Sequence, residues 1–299
     1  MAAAGGRGYV VDKATITELN AGNSSRASHV WRVDGPGGTY IARRPWWNTP
    51  EVSPFMAGLH SLFSVDPRDL DDVAESFRFW HRLEIWTVPE TLGLIQMLGQ
   101  PALKVEFIEG EPGHELADAD ARELGRRVSA AHGFALDYFG PLINTGTRGW
   151  LVDGFYPRAL TELDDLSTRF PIQDWAEYRT LLTQVPPPRW TVPMLLDWAG
   201  EQFVWREGQP YALVDVEASV YAPPELDLCL WELLLFPAGA AAFQAGYSEL
   251  LPFPDLTLHR SACRLILRAL EVEGAPPLAD WLALPALFVP PPTSTRVLP

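Results

Sequence analysis

The chain has 299 residues, 47% of them hydrophobic, and a formal net charge of −15. That length and apolar content suit one large domain or two lobes sharing an interface. The acidic balance argues against a nucleic-acid backbone as partner; it permits a cationic small molecule, which an acidic cleft concentrates, and serves solubility equally well.

In chain order, residues 1–8 lack an apolar signal core and read as a short disordered leader. Residues 15–19, 28–33 and 39–44 are short runs rich in β-branched and aromatic residues, with Asp34-Gly35-Pro36-Gly37-Gly38 as a hairpin turn between the last two. Residues 46–66 follow no clear period and read as an irregular insertion. A helix is predicted over 71–86, acidic at its start, with Val73, Phe77, Trp80 and Ile85 roughly on one side. Two more strands, 92–98 and 102–108, end at Glu109-Gly110-Glu111-Pro112-Gly113. Helical pattern returns over 118–132 and, in pieces, over 153–183. Pro186-Pro187-Pro188 is a stiff break. After it come strands at 193–197, 202–205 and 211–216, with a turn at Glu207-Gly208, then a helix from Glu225 and two further helical patterns over 240–250 and 257–272 before a Pro-rich tail. A small β-rich part followed by a larger helical part with an inserted hairpin implies two lobes and a cleft between them. No run of about eighteen apolar residues exists to span a membrane. Cys229 and Cys263 lie in apolar helical patterns as buried free thiols, which fits a reducing cytoplasm. No two of the six histidines are spaced as a ligand pair, which argues against a zinc or iron enzyme.

The chemistry concentrates in Leu195-Leu196-Asp197-Trp198-Ala199-Gly200-Glu201-Gln202 and, thirteen residues after Gln202, Asp215-Val216-Glu217. Pairing of the strands across Glu207-Gly208 brings Asp197 and Asp215 together at the mouth of a hairpin. Carboxylates held there with a carbonyl oxygen suit a hard cation such as Mg²⁺. One acid can then orient a hydroxyl nucleophile while another holds metal against nucleotide phosphates.

This segment resembles the catalytic region of the aminoglycoside phosphotransferase and choline kinase superfamily, in which a His-x-Asp, four residues and an Asn are followed about a dozen residues later by Asp-x-Glu or Asp-x-Asp. Ala222-Pro223-Pro224-Glu225-Leu226-Asp227-Leu228 resembles the family's small-Pro-x-x-x-Asp-Leu helix start, and the resemblance extends over roughly residues 15–270. It implies an α+β, two-lobed protein-kinase-like fold, with a small antiparallel-sheet N-lobe over 10–108 and a larger, mostly helical C-lobe over 109–299. It also implies an ATP- or GTP-dependent phosphotransferase acting on a small-molecule hydroxyl, the acceptor being compatible with an amine-bearing, aminoglycoside-like compound, and Mg²⁺ as cofactor. Neither nucleic acid nor membrane is implied as a partner.

Carried over position by position, Asp197 resembles the catalytic base, Gln202 stands at the asparagine metal-ligand position, and Asp215 resembles the principal magnesium ligand. Glu217 is either a second metal ligand or a solvated acid. Ser24 and Ser25 lie in the counterpart of the phosphate loop, where they contact phosphate or simply shape a turn. Arg43 stands at the phosphate-binding lysine position, with Glu75 as its expected ion-pair partner. The backbone at Glu106, Phe107 and Ile108 is the expected adenine-receiving linker. Asp227 is expected to brace the catalytic loop, and His132 to be a satisfied structural histidine. Three departures stand out: Leu195 replaces the family's histidine, Gln202 its asparagine and Arg43 its lysine. They favour an alternative, a catalytically silent protein of this fold that binds a nucleotide, a metabolite or a partner protein. Trp46, Trp47 and Trp198 are expected beside the cleft, and Asp164, Asp165, Asp174 and Glu177 would suit an amine-bearing acceptor or form a wet helix face.

Overall fold

The computed structural model describes residues 8–11, 14–19, 28–47, 52–143 and 148–289; Ser24 and Ser25 lie outside them. The first strands are β1 (Gly8–Val11), β2 (Ala14–Glu18), β3 (Ser28–Gly35) and β4 (Gly38–Pro45), followed by helices α1 (Pro54–Phe63) and α2 (Leu70–Leu83) and strands β5 (Thr91–Met97) and β6 (Gln100–Glu106). The strands form one antiparallel sheet in the order β1-β2-β3-β4-β6-β5. Alternation sorts its side chains. Ile16, Trp31, Val33, Ala42, Met97 and Ala102 form a small core on one face, whereas Val30 and Arg43, directly paired across β3 and β4, belong to the other.

The expected irregular insertion is a correction: α1 occupies it. Ser53 caps this helix by accepting from the Met56 N–H, and Pro54 opens its first turn. Helix α2 is capped by Asp69 and buries Val73, Ala74, Phe77 and Trp80, which join the large core that runs into the helical part.

That part contains α3 (Ala121–His132), β7 (Tyr138–Pro141), β8 (Trp150–Leu151), α4 (Phe155–Arg169), α5 (Trp175–Tyr178), β9 (Val192–Leu195), β10 (Phe203–Arg206), β11 (Gln209–Leu213), β12 (Ser219–Ala222), α6 (Pro224–Leu234), α7 (Pro237–Tyr247), α8 (Arg260–Ala269) and α9 (Leu278–Leu282). Strands β10 and β11 form the expected hairpin, its turn made by Glu207 and Gly208, both at positive φ. Strand β12 pairs with both β9 and β7. Among the described residues, no helix is long and apolar enough to cross a membrane. Both cysteines are buried and free.

An aromatic chain joins the two parts. Trp198 lies 6.1 Å from Trp80 of α2, 5.4 Å from Trp86 and 5.3 Å from Trp231 of α6, and the Trp80 indole N–H donates to Ser219 Oγ at 2.8 Å. Trp198 is therefore core, a correction to its expected place beside the cleft. Trp46 and Trp47 line a separate cavity with Arg44, Arg68 and Gln100.

Candidate active site

The carboxylates of interest sit on two loops that the backbone ties together. The Leu196 N–H donates to Ala218 O at 3.0 Å, and the Val214 N–H to Gln202 O at 2.8 Å. The loop carrying Asp197 turns tightly at Gly200, where a Cβ would stand 1.5 Å from His114 O. Leu195, expected from the resemblance to replace a histidine, is fully buried in β9 and paired with Ser219. The loop's brace is Asp227: its Oδ1 accepts from Trp198 Nε1 and its Oδ2 contacts His132 Nε2, both at 2.8 Å, and His132 Nδ1 contacts Tyr247 OH at 2.8 Å. His132 is thus fully satisfied at both ring nitrogens.

Asp197 and Asp215 line one cavity of about 340 Å³, together with Gln202, Glu217, Glu201, Glu271, Ser28 and the start of α1. Among the described residues that line it, five are acidic and none is basic. Gln202 Nε2 donates to Asp197 Oδ2 at 3.0 Å and to its backbone oxygen at 3.1 Å, while Asp197 Oδ1 is buried with no hydrogen-bond partner. Burial, reinforced by the carboxylates of Asp215 and Glu217, raises Asp197 well above the usual carboxylate range against the pull of Arg43.

Arg43 departs from expectation. Its side chain is 4% exposed and donates through Nη1 to Val214 O at 2.8 Å and through Nη2 to Asp215 Oδ1 at 2.6 Å; Nη2 also lies 2.8 Å from Glu217 Oε1. Burial works to lower its basicity, but the two carboxylates outweigh it and hold the guanidinium more firmly charged. The expected ion pair with Glu75 is a correction: Glu75 is half-buried and pairs with Arg78 one turn on. Glu217 is buried rather than solvated, accepting the Ser28 hydroxyl on both oxygens at 2.9 and 3.0 Å. Burial raises its pKa, the Asp215 charge adds to this, and Arg43 and Ser28 oppose it.

Glu106 ends β6 opposite Tyr40, its N–H donating to Glu90 O at 2.9 Å. The Phe107 ring lies under the Arg32 guanidinium at 4.5 Å, and Phe107 and Ile108 line a groove with Trp86, Arg206 and Tyr211. The acids expected to suit an amine are partly committed locally, Asp164 to Trp175 and Arg179 and Asp165 to Arg169. Sequence reasoning missed Ser28, Glu201, Glu271 and the N-terminus of α1; the Ser53-Pro54 pair was the available signal for the last.

No family model matches the chain, and no curated protein matches it in sequence. Solved structures do match over most of its length. The macrolide 2'-phosphotransferase MphH of Brachybacterium faecium superposes with a TM-score of 0.54 at 17% identity, over 91% of this chain and 93% of that one. A choline kinase from Cryptosporidium parvum gives 0.51 at 10% identity, over 87% and 79%. A spectinomycin phosphotransferase in complex with ADP and spectinomycin gives 0.50 at 14% identity, over 89% and 85%. The chain shares the kinase-like fold of these solved structures, with a small antiparallel sheet in its N-terminal region and a helical C-terminal region.

Proposed function

We propose that this protein is a nucleoside-triphosphate-dependent phosphotransferase that acts on a hydroxyl of a small molecule. The observation that carries the reading is Asp197 Oδ1, a buried acceptor without a hydrogen-bond partner on a residue that lines an acid-rich cavity with Asp215, its sister oxygen fixed by Gln202. Such an oxygen can receive a hydroxyl proton, and its raised pKa brings it closer to the range in which a general base is effective. The γ-phosphoryl group leaves the nucleotide's bridging oxygen and joins the acceptor oxygen, whose proton passes to Asp197.

The donor set fits a magnesium ion supplied with the nucleotide. Among the described residues, no group of three or more His, Cys, Asp or Glu forms a protein-only metal cage; Mg²⁺ commonly takes one or two carboxylates and completes its shell with phosphates and water. Asp215, at 39% side-chain exposure, and the amide of Gln202 would hold it. When bound, the ion would neutralise phosphate charge as it moves to the leaving oxygen. In this reading residues 10–108 form the nucleotide lobe, with the base received near Glu106 to Ile108, and residues 109–299 the catalytic lobe. The acidic cavity favours an acceptor that bears an amine. Two buried free thiols favour a reducing, cytoplasmic setting.

One observation favours a second reading, the catalytically silent binder: Arg43 occupies Asp215 Oδ1 rather than facing the cavity. Calorimetry with ATP and GTP, with and without Mg²⁺, followed by hydrolysis and a panel of sugars, aminoglycosides and amino alcohols, separates them. Binding with neither hydrolysis nor transfer selects the silent protein.

A further inference from the structure

Three side chains join the sheet to the loop after β11. Ser28 of β3 and Arg43 of β4 belong to paired strands, and both grip the carboxylate of Glu217. An arginine facing Asp215 alone would be free to fold over both of its oxygens. With Glu217 on its other side, the Nη2 group is held between two acceptors, 2.6 Å from Asp215 Oδ1 and 2.8 Å from Glu217 Oε1, while Nη1 is fixed on Val214 O. Glu75 lines a small cavity with Glu217 and Ser219, but its carboxylate is paired with Arg78 and not with Arg43.

We infer that Glu217 is a positioning residue rather than a metal ligand: fixed by Ser28, it aligns Arg43 and so sets how Asp215 faces the cavity. The assignment rests on the nucleotide reading above for its consequence, but not for its geometry. The carboxylate shares the one Ser28 hydroxyl proton between its oxygens and sits against the Arg43 guanidinium, so a cation bound there would have to compete with that buried positive charge.

The test has two arms. Double-mutant cycles in urea, with Arg43→Lys and Arg43→Met against Glu217→Gln and against Glu75→Gln, read the coupling directly. Arg43 and Glu217 should couple by about tenfold in the unfolding equilibrium, and Arg43 and Glu75 by less than about twofold. Calorimetry then compares Mg·ATP with adenosine. Glu217→Gln should weaken Mg·ATP at least about fivefold and leave adenosine unchanged, with Ser28→Ala a smaller effect in the same direction. A purely structural Glu217 would lower stability without separating the two ligands, and a metal-ligating Glu217 would weaken Mg·ATP as much in the Arg43→Met background as in the wild type, which would also overturn the assignment. Stronger coupling to Glu75, unchanged Mg·ATP affinity, or equal losses for ATP and adenosine would each overturn the assignment. A wild type that binds no nucleotide would remove the proposed function instead, and the cycles alone would then decide which acid sets Arg43.

Discussion

At the scale of single residues, the site is decided by which polar atoms have partners. Asp197 Oδ1 has none, although its neighbour Oδ2 is bound, an arrangement that costs stability in the resting protein and gains purpose only when an acceptor hydroxyl arrives. Asp197→Ala should therefore abolish phosphoryl transfer while changing nucleotide affinity by less than about threefold, because the lost contact is with the acceptor; parallel loss of nucleotide affinity would remove Asp197 from this role. Glu225 offers a pH test away from the cavity's proposed metal ligands. Burial raises its pKa, opposed by its own backbone N–H and by Arg189, and its Oε2 has no partner. A carboxyl whose folded pKa is raised binds its proton more tightly in the native state. Its contribution is then fully present below the unfolded value and is lost as pH rises through the folded one. Glu225→Gln should raise the melting temperature at pH 7 and lose that advantage toward pH 4, as followed by circular dichroism; a pH-independent difference would contradict the assignment.

At the scale of elements, legibility followed periodicity and turn chemistry. The β3–β4 hairpin announced itself through alternation and a Gly-rich turn, and the β10–β11 hairpin through Glu207-Gly208. Helix α1 was hidden because Ala57, Gly58, Leu59, Leu62 and Phe63 are all buried, so no polar face marks a helical period. Strand β12 escaped for the same reason, being four residues buried on both faces. That Asp197 and Asp215 line one cavity was legible because a hairpin between them returns the chain; the buried setting of Glu217 was not. The partner of Arg43 was not, since choosing between Glu75 and Glu217 depends on the rotation of α2, which only packing fixes. Gly200 is the element-scale test: a methyl group there meets the backbone of His114, and Gly200→Ala should destabilise the protein by about 1–3 kcal/mol in urea unfolding. A neutral result would show that the loop before β10 can shift.

At the scale of the whole molecule, charge governs what the cavity can accept. The chain carries −15 overall, and Asp197, Glu201, Asp215, Glu217 and Glu271 concentrate part of that charge in the cavity, whose described lining residues include no basic one. The Arg43 guanidinium, which lies against these acids, is already spent on Asp215 and Glu217. A triphosphate approaching alone meets like charge at low effective dielectric, where repulsion between single charges about 4 Å apart reaches about 4 kcal/mol at an effective dielectric of about 20. Under the proposed function, a divalent cation is then expected to accompany the nucleotide rather than merely assist its chemistry. Calorimetry in EDTA should show no measurable ATP or GTP binding, Mg²⁺ should restore it, and Asp215→Asn should cancel the restoration while far-UV circular dichroism stays unchanged. Because Arg43 loses a charged partner in that variant, its melting temperature should also move, so affinity and stability are measured on the same preparation. Tight binding in EDTA, or Mg²⁺-dependent affinity surviving Asp215→Asn, would mean that phosphate is held elsewhere than against these carboxylates.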